Sequence, residues 1–310
     1  MSTLFGRKIA MSAGLLAVLA GLNITVADVN KALDRVPGNA ALVAAVNDMA
    51  GVQAKFENFL TSMGAPMDEE NPAVQLKQLL ATPGVDIKGS LAMAILPDAA
   101  GGLDFESDPN MVVLVPVTDY QAFIKGMGGE AGGDITSITI NGEEGFVKNL
   151  GDGYAVMSPM AETLAAFEAG KGQAEAHRKS WGKVGRTAAE NADAVFVMNV
   201  PMFKDKIEEG LGGLREQMDM FAQMGMGGGN EAQMAMGMEI IETLGSTFAN
   251  DAQTGLIAAR LGETGIHLDI TAQFEDGTEV AGFFNKNGSS GNLLKNIPNQ
   301  PFLMAMAFDT

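Results

Sequence analysis

Short apolar runs and longer stretches of helical period take turns along this chain. Val36-Pro37-Gly38-Asn39 leads into the run Ala40 to Val46, and a helical pattern follows from Met49. Asn191-Ala192-Asp193 leads into Ala194 to Val200, and another helical pattern follows. Ile297-Pro298-Asn299-Gln300-Pro301 leads into Phe302 to Phe308. Each opening pairs a turn-forming polar stretch with an apolar run long enough for one buried strand and too short for a helix.

The first two openings also continue alike. Met49, Val52, Phe56, Leu60 and Met63 fall at helical spacing, as do Phe203, Ile207, Leu211, Leu214, Met218 and Phe221. A second helix is predicted after each, over 72–80 and about 231–248. Two strands follow in each copy, over 91–96 and 111–117 in the first and over 254–261 and 265–274 in the second. In the last strand Ile266, Leu268, Ile270, Ala272 and Phe274 alternate with His267, Asp269, Thr271 and Gln273. That alternation predicts an apolar face against the core and a polar face in water. A short helix closes each copy, over 119–127 and 278–284. Between the copies, Asn141-Gly142 marks a hairpin over 135–150. A strand over 154–158 and a helix from Met160 come next.

The fold class expected is α+β: a largely antiparallel sheet with helices packed on one face. It is built from a duplicated strand–helix–helix–strand–strand–helix unit. The organisation expected is a signal peptide over 1–27, a first α+β unit with an inserted hairpin over 28–186, and a second unit over 187–296. Residues 297–310 are either the start of a third unit or a closing strand.

The leader changes the picture most. Arg7 and Lys8 precede the mostly apolar stretch Ile9 to Val26, and Thr25-Val26-Ala27 sets small residues where a signal peptidase reads. Residues 9–26 are near the minimum for a membrane span, and Ser12 and Asn23 weaken that alternative. The expected location is therefore exported: periplasm, cell surface or secreted, with no stable membrane span after cleavage. The chain has no cysteine, so neither a lipid-attachment thiol nor a disulfide framework is available. An ordinary hydrophobic core has to hold it.

Charge narrows the partners. There are 38 Asp and Glu against 20 Lys and Arg, a formal net charge of −18. A phosphate backbone would be repelled, so nucleic acid is not expected as a partner. Electrostatic docking on an anionic membrane is disfavoured for the same reason.

Few motifs carry chemistry. Methionine is abundant, 21 in all, and concentrated in Met218, Met220, Met224, Met226, Met234, Met236 and Met238. Thioether sulfur is a soft ligand that suits Cu(I), which makes these seven the candidate metal ligands. The competing reading is adaptable core filler, since Met218 extends one helical stripe and Met234 and Met238 align with Ile241, Leu244 and Phe248. The acidic groups Asp68-Glu69-Glu70 and Asp104-Phe105-Glu106-Ser107-Asp108 lack the glycine and the closing carboxylate of a calcium loop. They read as solvated loops.

His177 and His267 stand far apart, which makes a poor zinc set. Ser180-Trp181-Gly182-Lys183 matches a short serine–lysine pattern of penicillin-recognising enzymes, without that class's partner motifs. A basic island from Lys171 to Arg186 holds His177, Arg178, Lys179, Lys183 and the only tryptophan, Trp181. It reads as a linking helix whose cations satisfy neighbouring carboxylates, with a docking patch as the sharper alternative.

Val113-Leu114-Val115-Pro116-Val117-Thr118-Asp119-Tyr120-Gln121-Ala122-Phe123 and Gly153-Tyr154-Ala155-Val156-Met157-Ser158-Pro159 resemble segments of uncharacterised exported bacterial proteins of planctomycete type. The resemblance covers roughly residues 36–170 and implies no activity, cofactor or site residue. The function expected is that of an exported cell-envelope protein, not an enzyme, binding a partner or a hydrophobic ligand. No cofactor is expected. A Met-rich Cu(I)-binding protein is the first alternative and a hydrolase the second.

Overall fold

Among the described residues nine antiparallel strands form one continuous sheet. The computed structural model describes residues 29–62, 64, 72–98, 100–103, 110–130, 132–140, 143–190, 192–223, 231–262, 265–278 and 281. The leader, the Asn141-Gly142 turn, both acidic groups and the third opening lie outside the described residues, apart from the sequence reading already given for them.

The chain begins with helix α1 (Val29–Leu33), strand β1 (Leu42–Val46), and helices α2 (Met49–Ser62) and α3 (Pro72–Leu80). Strands β2 (Leu91–Ile95) and β3 (Met111–Pro116) and helix α4 (Tyr120–Gly126) follow. Next come β4 (Ile135–Ile140), β5 (Glu143–Gly151), β6 (Tyr154–Ser158) and α5 (Ala161–Ala166). Helices α6 (Gln173–Ser180) and α7 (Gly182–Ala189) lead to β7 (Ala194–Asn199) and a 3-10 turn at Val200–Phe203. A helical hairpin of α8 (Lys204–Gln223) and α9 (Glu231–Asp251) then leads to β8 (Ala252–Gly262) and β9 (Gly265–Phe274). The strand order is β4-β5-β6-β3-β2-β1-β7-β8-β9, which reads outward from the β1–β7 pair as β1-β2-β3 on one side and β7-β8-β9 on the other. The strands of residues 28–186 and of 187–296 thus share one sheet, joined where Ala44 faces Phe196.

Helices lie on both faces of this sheet, which corrects the expectation of one covered face. Partner residues in an antiparallel ladder share a face. Val43 with Ala94 and Val197, and Ala45 with Ala92 and Val195, belong to the first face. They share a core with Ala32 and Leu33 of α1, Leu164 of α5, Ala174 of α6, Ala189 of α7 and Trp181. Val46, Leu91, Val115, Ala155 and Met157 belong to the second face. There Met49 of α2, Leu79 and Leu80 of α3, and Phe123 and Ile124 of α4 cover one end. Val52 and Phe56 of α2 pack near Ala194, Ala259 and Leu261. The cause is written in the central strands. Runs such as Leu91–Ile95 are apolar at every position, and such a strand is stable only when both faces are covered.

The second face is not covered along its whole width. One row of cross-strand partners runs Val113, Met93, Ala44, Phe196, Ile257, Ile270. Met93 and Ala44 are buried, Phe196 and Ile257 are half-buried, and Ile270 on edge strand β9 is 74% exposed.

Candidate functional site

Over residues 268–273 strand β9 turns its predicted polarity around. Its apolar residues Leu268 and Ile270 are 50% and 74% exposed, while Thr271 and Gln273 are half-buried. Two glycines of α7 explain this. At Gly185 a Cβ would meet Thr271 Oγ1 at 3.2 Å, and a Cβ on Gly182 would run into the Gln273 side chain. Without side chains there, α7 settles onto the first face of β9 and covers its polar positions. The alternation was read correctly, but the helix layer took the other side.

The helical hairpin flanks the uncovered side. A Cβ on Gly245 would meet Leu211 Cδ1 at 2.8 Å, so α8 and α9 approach closely there. Arg215 and Glu242 pair across the hairpin at 3.5 Å. Phe248 near the end of α9 lies over Gly255 of β8, where a Cβ would meet its ring at 3.4 Å. Leu244 and Ile241, about one and two turns earlier on the same helical face, are exposed. So are Leu214 and Met220 of α8.

Among the described residues the exposed large apolar side chains are Leu214, Met220, Ile241, Leu244, Leu268 and Ile270, and elsewhere only Ile87 and Val184. Scattered single exposures need no explanation, but a concentration on one edge strand and one helical hairpin makes a candidate contact surface. Its surroundings are acidic. Asp205, Glu208, Glu209 and Glu216 of α8 are exposed against exposed Lys206 and Arg215, which pair with Glu209 and Glu242, and α9 carries no lysine or arginine.

The candidate methionines are placed as follows. Met218 and Met220 lie on α8, and Met234, Met236 and Met238 on α9. Met220 is exposed. Met224 and Met226 lie outside the described residues. Among the described residues no group of three or more His, Cys, Asp or Glu could hold a metal ion.

The serine–lysine pattern straddles a helix break. Ser180 ends α6 and donates its hydroxyl to the His177 carbonyl at 2.7 Å. Gly182, at φ +65°, opens α7. The basic island is thus two short helices rather than one. Buried His177 pairs through Nε2 with the Val36 carbonyl at 3.1 Å, and burial lowers its pKa. Exposed His267 lies 3.1 Å from Asp269, which Arg260 also contacts at 2.7 Å.

One buried polar group escaped the sequence reading. Asp193, just before β7, has a side chain 1% exposed, 3.3 Å from Lys55 of α2, itself 14% exposed. Burial pushes the Asp193 carboxyl up to about 6, against the pull of Lys55. Its backbone is fixed on both sides: the N–H donates to Ala259 at 3.2 Å and the carbonyl accepts from Asn47 at 2.9 Å. Asp193 Oδ2 and Asn47 Oδ1 are buried without a hydrogen-bond partner among the described residues. The sequence signal was an acid at the mouth of an apolar run, which reads equally well as a turn residue.

Comparison of the chain with protein-family models, with curated proteins and with solved structures gives no match. Among the described residues no helix is long and apolar enough to cross a membrane.

Proposed function

We propose that this is an exported binding protein of the cell envelope, and that it works through the apolar surface formed by β9 and the α8–α9 hairpin. The observation that carries the reading is the concentration of exposed Leu214, Met220, Ile241, Leu244, Leu268 and Ile270 on these elements. The occupant it fits is an amphipathic, cationic segment of a partner protein. Leucine-sized side chains would cover the exposed row, and lysines or arginines would meet the acidic rim. A net charge of −18 works against a second copy as the occupant. The outward strand order from β1 and β7 supports reading 28–186 and 187–296 as copies of one unit, with this surface on the second.

A labelled leucine–lysine amphipathic helix is the probe for the surface. Fluorescence anisotropy is expected to show binding that weakens at least ~10-fold in the variant Ile241→Ser, Leu244→Ser, Leu268→Ser, Ile270→Ser, as expected when several buried contacts are truncated together. Equal binding by wild type and variant would show attraction by net charge alone and end the proposal. A wild-type dimer in sedimentation that the same changes dissolve would reassign the surface to self-association. Export has its own check: intact mass of native material is expected to begin at Asp28.

A further inference from the structure

A cleft of about 510 Å³ opens on the first face of the sheet, where α6 passes into α7. Lys179, Lys183 and His177 line one side, and Asn199, Gln253 and Gln273 the other. Val43 and Val197 supply an apolar floor. Among the described residues no aspartate or glutamate lines it. In a chain with 38 acidic residues against 20 lysines and arginines, a cleft edged by two lysines and by no described carboxylate is a local reversal of charge.

Neither lysine is in an ion pair among the described residues. Lys179 sits in the last turn of α6, where the helix dipole favours a cation. Lys183 has no such excuse. It lies in the first turn of α7, the end where a cation is disfavoured. A bound anion would offset that cost and would be attracted by both ammonium groups and the positive end of α7.

The rest of the wall is suited to hydroxyl groups. Exposed Gln253 and half-buried Asn199 and Gln273 each offer amide donors and acceptors. Gln273 is brought into the wall because Gly182 has no side chain to block it. The floor of Val43 and Val197 matches the apolar face of a ring. The volume lies within the range of small-molecule pockets.

We propose that this cleft binds a sugar-sized organic anion, its carboxylate or phosphate held between Lys179 and Lys183 and its hydroxyls met by the amides. The site lies on the opposite sheet face from the apolar surface, so it stands or falls independently.

Isothermal titration of the purified chain with glucuronate, glucose 6-phosphate, glucose and inorganic phosphate tests this. Trp181, the only tryptophan and adjacent to Gly182, gives a second, optical readout. One or both charged sugars are expected to bind at least ~10-fold more tightly than glucose, the order expected of charge-assisted hydrogen bonds. Which of them binds separates a carboxylate from a phosphate ligand. The double variant Lys179→Gln, Lys183→Gln is expected to remove that preference, and Lys88→Gln, on a loop at the other end of β1, to keep it. The proposal is overturned by equal binding of charged and neutral sugar, or by an unchanged double variant. Inorganic phosphate binding as tightly as the charged sugars, or no titration by either below ~10 mM, overturns it equally; a millimolar ligand is already near the weak end of specific recognition.

Discussion

Replacing Gly84 with alanine is expected to destabilise the fold by about 3 kcal/mol, combining left-handed backbone strain with overpacking. Gly84 has φ +84°, a conformation that L side chains rarely adopt. Space is the larger obstacle. A Cβ there would run into the Asp119 carbonyl oxygen and meet the Phe123 nitrogen at 2.7 Å, and both are backbone atoms. The contact cannot relax locally, because Asp119 caps α4, its carboxylate accepting from Gln121 and Ala122 at 3.0 Å each. The Gly84 carbonyl also accepts from Thr118 at 2.8 Å and Asp119 at 3.2 Å. Pushing the loop away would break these bonds and shift Phe123, which is fully buried.

Gly64→Ala is the internal control. Its φ is +69°, but among the described residues nothing lies within 4 Å of the added Cβ, so it is expected to cost only about 1 kcal/mol of backbone strain. Urea unfolding of both variants separates the two contributions. Equal midpoint shifts would show that crowding at Gly84 contributes nothing.

The contrast between these glycines shows where sequence reading stops. The strands over 91–95, 111–116 and 154–158 were legible because apolar runs of that length between turn residues have one reading. Helix α2 was legible from Met49, Val52 and Phe56, which it buries together with Gln53. Local periodicity says which positions share a face. It does not say which face another element will cover. On β9 the decision was made by Gly182 and Gly185, some ninety residues away, and periodicity of β9 alone could not contain it.

The covering of the second face, as distinct from the helices themselves, was missed for a related reason. An all-apolar strand implies cover on both sides, and that implication of Leu91–Ile95 outranks the simpler layered picture. Of the two proposed surfaces, the hairpin was legible as an apolar, Met-rich stripe. The cleft was legible only as a basic island. What makes it a cleft is the meeting of α6 and α7 with residues from β7, β8 and β9, which are distant in sequence.

Asp193→Asn is expected to be more stable than wild type at pH 7.5 and indistinguishable from it near pH 4. The direction follows from linkage. An unfolded aspartate titrates near 3.9, whereas burial places folded Asp193 at about 6. Between those values the folded state binds the proton and the unfolded state does not. The group's contribution is therefore fully favourable below about pH 4, falls as pH rises to about 6, and is flat above that. A shift of about two pKa units at about 1.4 kcal/mol each makes the loss roughly 3 kcal/mol. Lys55 opposes this loss at 3.3 Å but does not cancel it, because the carboxylate it faces is almost wholly removed from water.

Asparagine keeps the shape and stays neutral at every pH, so the variant keeps the stability that wild type loses. Other carboxylates give both proteins their own pH dependence, so the quantity to read is the difference between the two. Urea midpoints at pH 4, 5, 6 and 7.5 are expected to coincide at the acid end and diverge upward in favour of the variant. A constant offset across that range would mean that Asp193 titrates as an ordinary carboxylate. A wild type more stable than the variant at pH 7.5 would mean that the Lys55 pair outweighs the cost of burying the charge. The sign of the difference at pH 7.5 thus separates a carboxylate held at the root of β7 despite its charge from one held there because of it.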